Sequence, residues 1–170
     1  HIDIDTGPNL LGRVGDTLDA AVIVTSDPDD SYYSVRLDHN RVHAICSEAL
    51  AQEIGLSPDI ETLSKQTFLI HNDLPESFEA WKEALGFQGL QPAAIDHFDS
   101  GQLMLEAAAQ GLGIAIMHDD HFRRATGKKL AQLYDIEVES PYSYWFVCRP
   151  KALDTRPVKL FHDWMIESGL

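Results

Sequence analysis

The chain has 170 residues, 44% hydrophobic and 24% charged, with 27 Asp and Glu against 13 Lys and Arg for a formal net charge of −14. That length holds one sizeable core or two small lobes and excludes several independent domains, and no apolar run reaches the ~20 residues of a bilayer span. So acidic a surface repels phosphate backbones and anionic membranes, which excludes nucleic-acid or membrane binding by this piece alone.

Ile2–Asp5 (IDID) alternates apolar and polar residues and reads as a strand. Leu10, Leu11 and Val14 follow at helix spacing, and Leu18–Val24 (LDAAVIV) is a continuous apolar run, as for a strand covered on both faces. Two strand-like runs, Tyr32–Asp38 and Arg41–Ser47, flank His39-Asn40, which predicts a tight turn of a hairpin. SEALAQEIG predicts a short helix over Glu48–Ile54, with a Ser cap and a Gly stop. DIETLSKQ is another, capped by Ser57 or Asp59. Thr67–Asp73 (TFLIHND) reads as a strand ending in a polar loop. PESFEAWKEALGF then presents Phe78, Trp81 and Leu85 as an amphipathic helix with Pro near its start. AAIDHFD is a strand, FDSGQLMLEAAAQG a helix and GIAIM a strand. SYWFVCRP and RPVKLFHDWMIESGL close the chain as strand and helix, with Val158, Phe161, Trp164 and Met165 on one face.

This alternation predicts an α/β architecture around mostly parallel sheet. In such sheets ligands sit beyond the carboxyl ends of strands, near helix N-termini. That selects Thr6-Gly7, Thr25-Ser26, His71-Asn72-Asp73 and Asp99-Ser100. The acidic loop Ser26–Ser31 reads as an exposed turn.

Several chemistries are weighed against these residues. His118–His121 (HDDH) offers two imidazoles and two carboxylates, but consecutive side chains point apart and the acids suit a helix start, so no metal is expected. His39 and His43 lie on a hairpin pattern, which leaves a shared face in doubt. Ser100 sits where a nucleophile would, yet FDSGQ is not G-x-S-x-G and no base is recognisable beside it. As a cap its hydroxyl accepts from the first-turn N–H groups, and the same groups would meet a ligand carboxylate or amide. Nucleotide-binding glycine loops are absent, and no cofactor is expected. Cys46 and Cys148 give neither a zinc pattern nor a disulfide framework and read as buried thiols of a reducing compartment.

In order along the chain, IDIDT with GDTLDAAVIV, VRLDHNRVHAICSEALAQ, FDSGQLMLEAAAQGLGIAIM, SYWFVCRP and RPVKLFHDWMIESG resemble the effector-binding domain of LysR-type transcriptional regulators. The likeness is to the branch similar to the glycine-cleavage activator. The third block carries the family's F-x-[DNS]-x-x-x-x-x-x-A-x-x-G-x-G-I-A pattern, whereas Glu48 stands at a position that is usually proline. The resemblance implies a periplasmic-binding-protein-like fold: two Rossmann-like lobes joined by crossover strands, lobe I about 1–46 and 116–170, lobe II about 47–115. It also implies that lobe I is truncated at its N-terminus, and that the family's helix-turn-helix lies outside this chain. A small effector is expected in the inter-lobe cleft against Thr6, Gly7, Thr25, His71, Asn72, Asp99, Ser100 and Phe146. Further expectations are no catalytic activity, self-association as a dimer or tetramer, promoter DNA contact only through the helix-turn-helix, no membrane, and a cytoplasmic location. A transport-type solute-binding protein and an α/β hydrolase using Ser100 stay open as alternatives.

Overall fold

A computed structural model describes residues 2–7, 9–119 and 129–168. The chain forms two compact units, one from residues 1–39 and 142–170, the other from 40–141. These junctions differ from the boundaries near 46 and 115 that the resemblance implies.

The first unit is built on three strands, β1 (Ala20–Thr25), β2 (Tyr33–Arg36) and β8 (Ser143–Cys148), in the order β1-β8-β2 with both pairings antiparallel. Ala20 pairs with Cys148 and Thr25 with Ser143. On one face Val14, Ala21 and Val147 pack with Leu10, Leu11, Leu18, Ile23, Tyr32 and Trp145. On the other, Phe146, Cys148 and Val158 pack with Tyr33, Val35, Leu153 and Phe161 beneath the final helix (Arg156–Ser168).

The second unit holds a five-stranded sheet in the order β5-β4-β6-β3-β7. Its strands are β3 (Val42–Ser47), β4 (Thr67–His71), β5 (Ala94–Phe98), β6 (Ile114–His118) and β7 (Leu130–Gln132). Pairings β5–β4 and β4–β6 are parallel, β6–β3 and β3–β7 antiparallel. Helix α1 (Glu48–Ile54) is capped by Ser47, α2 (Ile60–Ser64) by Asp59, and α3 (Glu76–Ala84) follows Pro75. One core gathers Phe68, Phe78 and Trp81 with Leu63, Ile114 and Tyr134, the Phe68 and Phe78 rings 4.7 Å apart. The other lies between the sheet and α4 (Gly101–Ala109), where Met104, Leu105 and Ala108 meet Ile45, Leu69 and Ala115.

Two glycines make the α4–β6 turn possible. Gly111 ends the helix at φ +78°, a region that L side chains enter at a cost. At Gly113 an added Cβ would stand 2.6 Å from the Thr67 carbonyl oxygen, so only glycine lets β6 start this close to β4.

Several expectations are corrected. The sheets are not mostly parallel: the first is antiparallel throughout, because β8 runs opposite to both neighbours, and the second is mixed, because β3 enters antiparallel to β6 and β7. Tyr32–Asp38 and Arg41–Ser47 form no hairpin: β2 pairs with β8 and β3 with β6 and β7, so His39-Asn40 joins two units. Residues 2–5 are not a strand; Ile2 and Ile4 are exposed and make no ladder. The following stretch has one 3-10 turn, Leu11–Arg13, in place of a helix. β1 is an edge strand with apolar packing on both faces, Ala21 and Ile23 on one and Ala20 on the other, but its end opens to solvent at Val24, 38% exposed. Trp164 leaves the apolar face of the last helix, 59% exposed and stacked on Phe161, because Val158 and Phe161 already fill the sheet side.

Candidate functional site

Parallel pairing of β4 and β5 sets His71 against Phe98, so both strands end at one edge of the second unit. Beyond that edge the Asn72 N–H donates to the Phe98 carbonyl at 2.8 Å, which draws the two following loops together. His71, Asn72, Asp99 and Ser100 therefore converge, as the strand-end rule requires of a ligand site. The half-buried His71 ring accepts the Asp73 N–H at Nδ1 over 3.2 Å, which leaves Nε2 to carry the proton in the neutral ring. Asn72 and Asp99 are exposed.

Ser100 takes extended backbone (φ −134°, ψ 115°) and its Oγ accepts the Leu103 N–H at 3.4 Å. That length is beyond the usual range, so the cap is a weak one. The first-turn N–H groups of α4 carry the positive end of the helix dipole toward the same edge.

The remaining expected residues belong to the first unit. Thr25 ends β1; its Oγ1 accepts the Asp27 N–H at 3.3 Å, and its carbonyl accepts Trp145 Nε1–H at 3.1 Å. It lines a cavity of about 360 Å³ with Leu11, Ile23, Asp27, Pro28, Asp29 and Asp30. The acidic loop, expected as a plain exposed turn, is thus part of that wall. Asp29 is held below the usual carboxylate range, chiefly by hydrogen bonds from the Ser31 hydroxyl and backbone N–H. Thr6 and Gly7 lie in exposed irregular chain, after a segment that is not a strand. Phe146 is a correction: its ring is wholly buried beneath the last helix, 5.2 Å from the His162 ring, and presents no face to a ligand. An alternating strand pattern does not say which face a helix covers.

The HDDH cluster divides. His118 is buried on β6 with Nε2 2.9 Å from Ser140 Oγ, and Asp119 Oδ1 lies 3.1 Å from His43 Nε2. Asp120 and His121 lie outside the described residues. Among the described residues no three His, Cys, Asp or Glu side chains converge as a metal site, and no helix is long and apolar enough to cross a membrane. Cys46 and Cys148 are free, buried thiols, one in each unit. The sequence reading missed the polar group around Asn40, His118 and Ser140, because these residues are far apart in the chain and carry no motif.

A family model described as the LysR substrate binding domain matches residues 1–169. The chain is 27% identical over 171 residues to the HTH-type transcriptional activator AmpR of Enterobacter cloacae, covering 98% of the chain and 57% of that protein. It thus spans little over half the length of this curated relative. The effector domain of the transcriptional regulator AmpR of Pseudomonas aeruginosa superposes with a TM-score of 0.73 at 24% identity, over 89% of the chain and 71% of that domain. The regulatory domain of CcmR from Synechocystis, solved in complex with 2-PG, superposes with a TM-score of 0.70 at 13% identity, over 94% and 77%. These likenesses are of fold: α/β, with the mixed sheets of LysR effector-binding domains and their periplasmic-binding-protein-like architecture.

Proposed function

The chain belongs to the LysR substrate-binding-domain family, and from that premise we propose that it is the ligand-sensing part of a LysR-type transcriptional regulator. A small-molecule effector binds at the strand-end edge of the second unit, beyond β4 and β5. His71, Asn72, Asp99 and Ser100 form the wall of that site. The convergence of the four second-unit residues at the ends of β4 and β5 carries the reading. The effector presents an acceptor, a carboxylate or amide, to the α4 N-terminus. By preferring one conformation of the regulator it shifts that conformation's population, and this alters how the whole regulator holds promoter DNA.

DNA contact belongs to a helix-turn-helix outside this chain, which accords with the net charge of −14 here. The regulator works in the cytoplasm and is not an enzyme. It also self-associates as a dimer or tetramer. β5 supports this, an edge strand exposed on both faces with Ile95 42% exposed, so that a second copy can cover it.

The test is a thermal-shift screen of small carboxylates and amides against the 170-residue chain, repeated with Ser100→Ala. A ligand at a hundred times its Kd stabilises by about 2.7 kcal/mol, and the variant should lose most of that gain. Hydrolysis of a generic ester that disappears in Ser100→Ala would make the protein a hydrolase and overturn the reading.

A further inference from the structure

The chain leaves the first unit after His39, and leaves the second after Pro141. Both passages meet the end of β6 in a buried polar group that lies wholly inside the second unit. Asn40 is 7% exposed, and its Oδ1 accepts two backbone N–H groups, from Arg41 at 2.9 Å and from Asp119 at 3.2 Å. Because both donors are backbone amides, the oxygen end of the side chain is the end that faces them. The Asp119 N–H also reaches the Arg41 carbonyl at 3.1 Å, and the Asn40 carbonyl accepts the Ser140 N–H at 3.0 Å. On the return passage Ser140, 5% exposed, holds its Oγ 2.9 Å from Nε2 of His118, the last residue of β6. His43, on β3 beside the first passage, sets Nε2 3.1 Å from Asp119 Oδ1.

We propose that this group is a clasp that fixes the direction in which both passages leave the second unit, with Asn40 and Ser140 as positioning residues. One anchor, the end of β6, serves both passages. A side chain with no acceptor at position 40 loses the side-chain tie from β6 to the first passage and leaves only the backbone bond of Asp119 to Arg41 and the β3–β6 ladder. A side chain with no hydroxyl at position 140 loses the tie from β6 to the second. Polar groups this buried cost free energy unless each is paired, so they persist where the pairing specifies a geometry. β6 is also the parallel neighbour of β4, whose end carries His71 and Asn72. The clasp therefore ties the passages to the strand layer that presents the candidate site. Its regulatory meaning rests on the effector-sensing reading, but its existence does not.

The test uses the full chain without ligand, spin-labelled at Asp154→Cys in the first unit and Glu83→Cys in the second, with native Cys46 and Cys148 buried and unlabelled. Pulsed electron–electron resonance measures the spread of the distance between labels. Asn40→Ala and Ser140→Ala each widen the spread, and in Asn40→Ala the Arg41 amide, which loses its acceptor, exchanges hydrogen about tenfold faster. Leu63→Ala, which removes a fully buried side chain from the same unit, leaves the spread unchanged. If Asn40→Ala fails to fold, Ser140→Ala decides, since it keeps every backbone bond of the clasp. An unchanged spread in the folded clasp variants overturns the proposal, as does equal widening in Leu63→Ala. A ligand screen that finds nothing leaves this result standing.

Discussion

Gly113→Ala should be the most damaging single-methyl addition in the second unit. The new Cβ would stand 2.6 Å from the Thr67 carbonyl oxygen, 3.2 Å from the carbonyl carbon and 3.1 Å from Leu69 Cδ2. A leucine methyl can move, but the carbonyl is part of the β4 backbone that pairs Phe68 with Ile114. Overpacking against a rigid neighbour costs about 2–3 kcal/mol. Gly111→Ala meets only Ser47 Oγ, at 3.5 Å, so its cost is the left-handed backbone alone, about 1 kcal/mol. For a unit of about a hundred residues each kcal/mol lowers Tm by about 4 °C, which gives about 8–12 °C for Gly113→Ala and about 4 °C for Gly111→Ala. Melts followed by the emission of Trp81, the buried indole of this unit, separate the two. Trp145→Phe and Trp164→Phe in the background silence the first unit. Equal melting of the two variants, or a more stable Gly113→Ala, would show that the β4–β6 approach is not what requires glycine.

Burial pushes the Cys46 thiol up to about 11, so at pH 8 only about one molecule in a thousand carries the reactive thiolate. Native protein should resist a thiol-reactive disulfide reagent and react fully in urea; rapid labelling of folded chain would contradict the burial. Asp59 is held below the usual carboxylate range, first by the Thr62 hydroxyl and then by the Thr62 N–H. Because the folded value is lowered, the contribution is fully present above about pH 4, the ordinary carboxylate value, and is lost as pH falls from there through the lower folded one. Asp59→Asn should therefore flatten the acid limb of the Trp81-detected Tm profile, and a limb parallel to the parent's would refute this. Ile95→Lys should shift light scattering toward monomer without lowering Tm, because the side chain already meets solvent; an unchanged mass would clear β5 of a role in self-association.

The second unit was largely legible from residues close together in the chain. Ser47 before EALAQEIG, Asp59 before IETLS and Ser100 before GQLML stop and start helices through hydrogen bonds that span three residues. The apolar runs TFLI and GIAIM specify buried strands in the same local way. The places of His71-Asn72 and Asp99-Ser100 were legible too, since each pair stands at a strand end ahead of a helix. That these two pairs meet was decided by the parallel register of β4 on β5 and by the Asn72–Phe98 bond.

What lay beyond the sequence depends on pairing between distant segments. IDID alternates as a strand does, but alternation pays no backbone hydrogen bonds, and no neighbour supplies them among the described residues. Tyr32–Asp38 and Arg41–Ser47 look like a hairpin until β8, more than a hundred positions later in the chain, claims β2. Phe146 could face a cleft or a core on its strand, and only the packing of the last helix placed it in the core. Asn40, His118 and Ser140 carry no motif, because their bonds join three passages of chain that local periodicity cannot relate. Sequence determined which segments bury a face and where helices begin; tertiary structure decided which strand is whose neighbour, because register is a contest among all available edges.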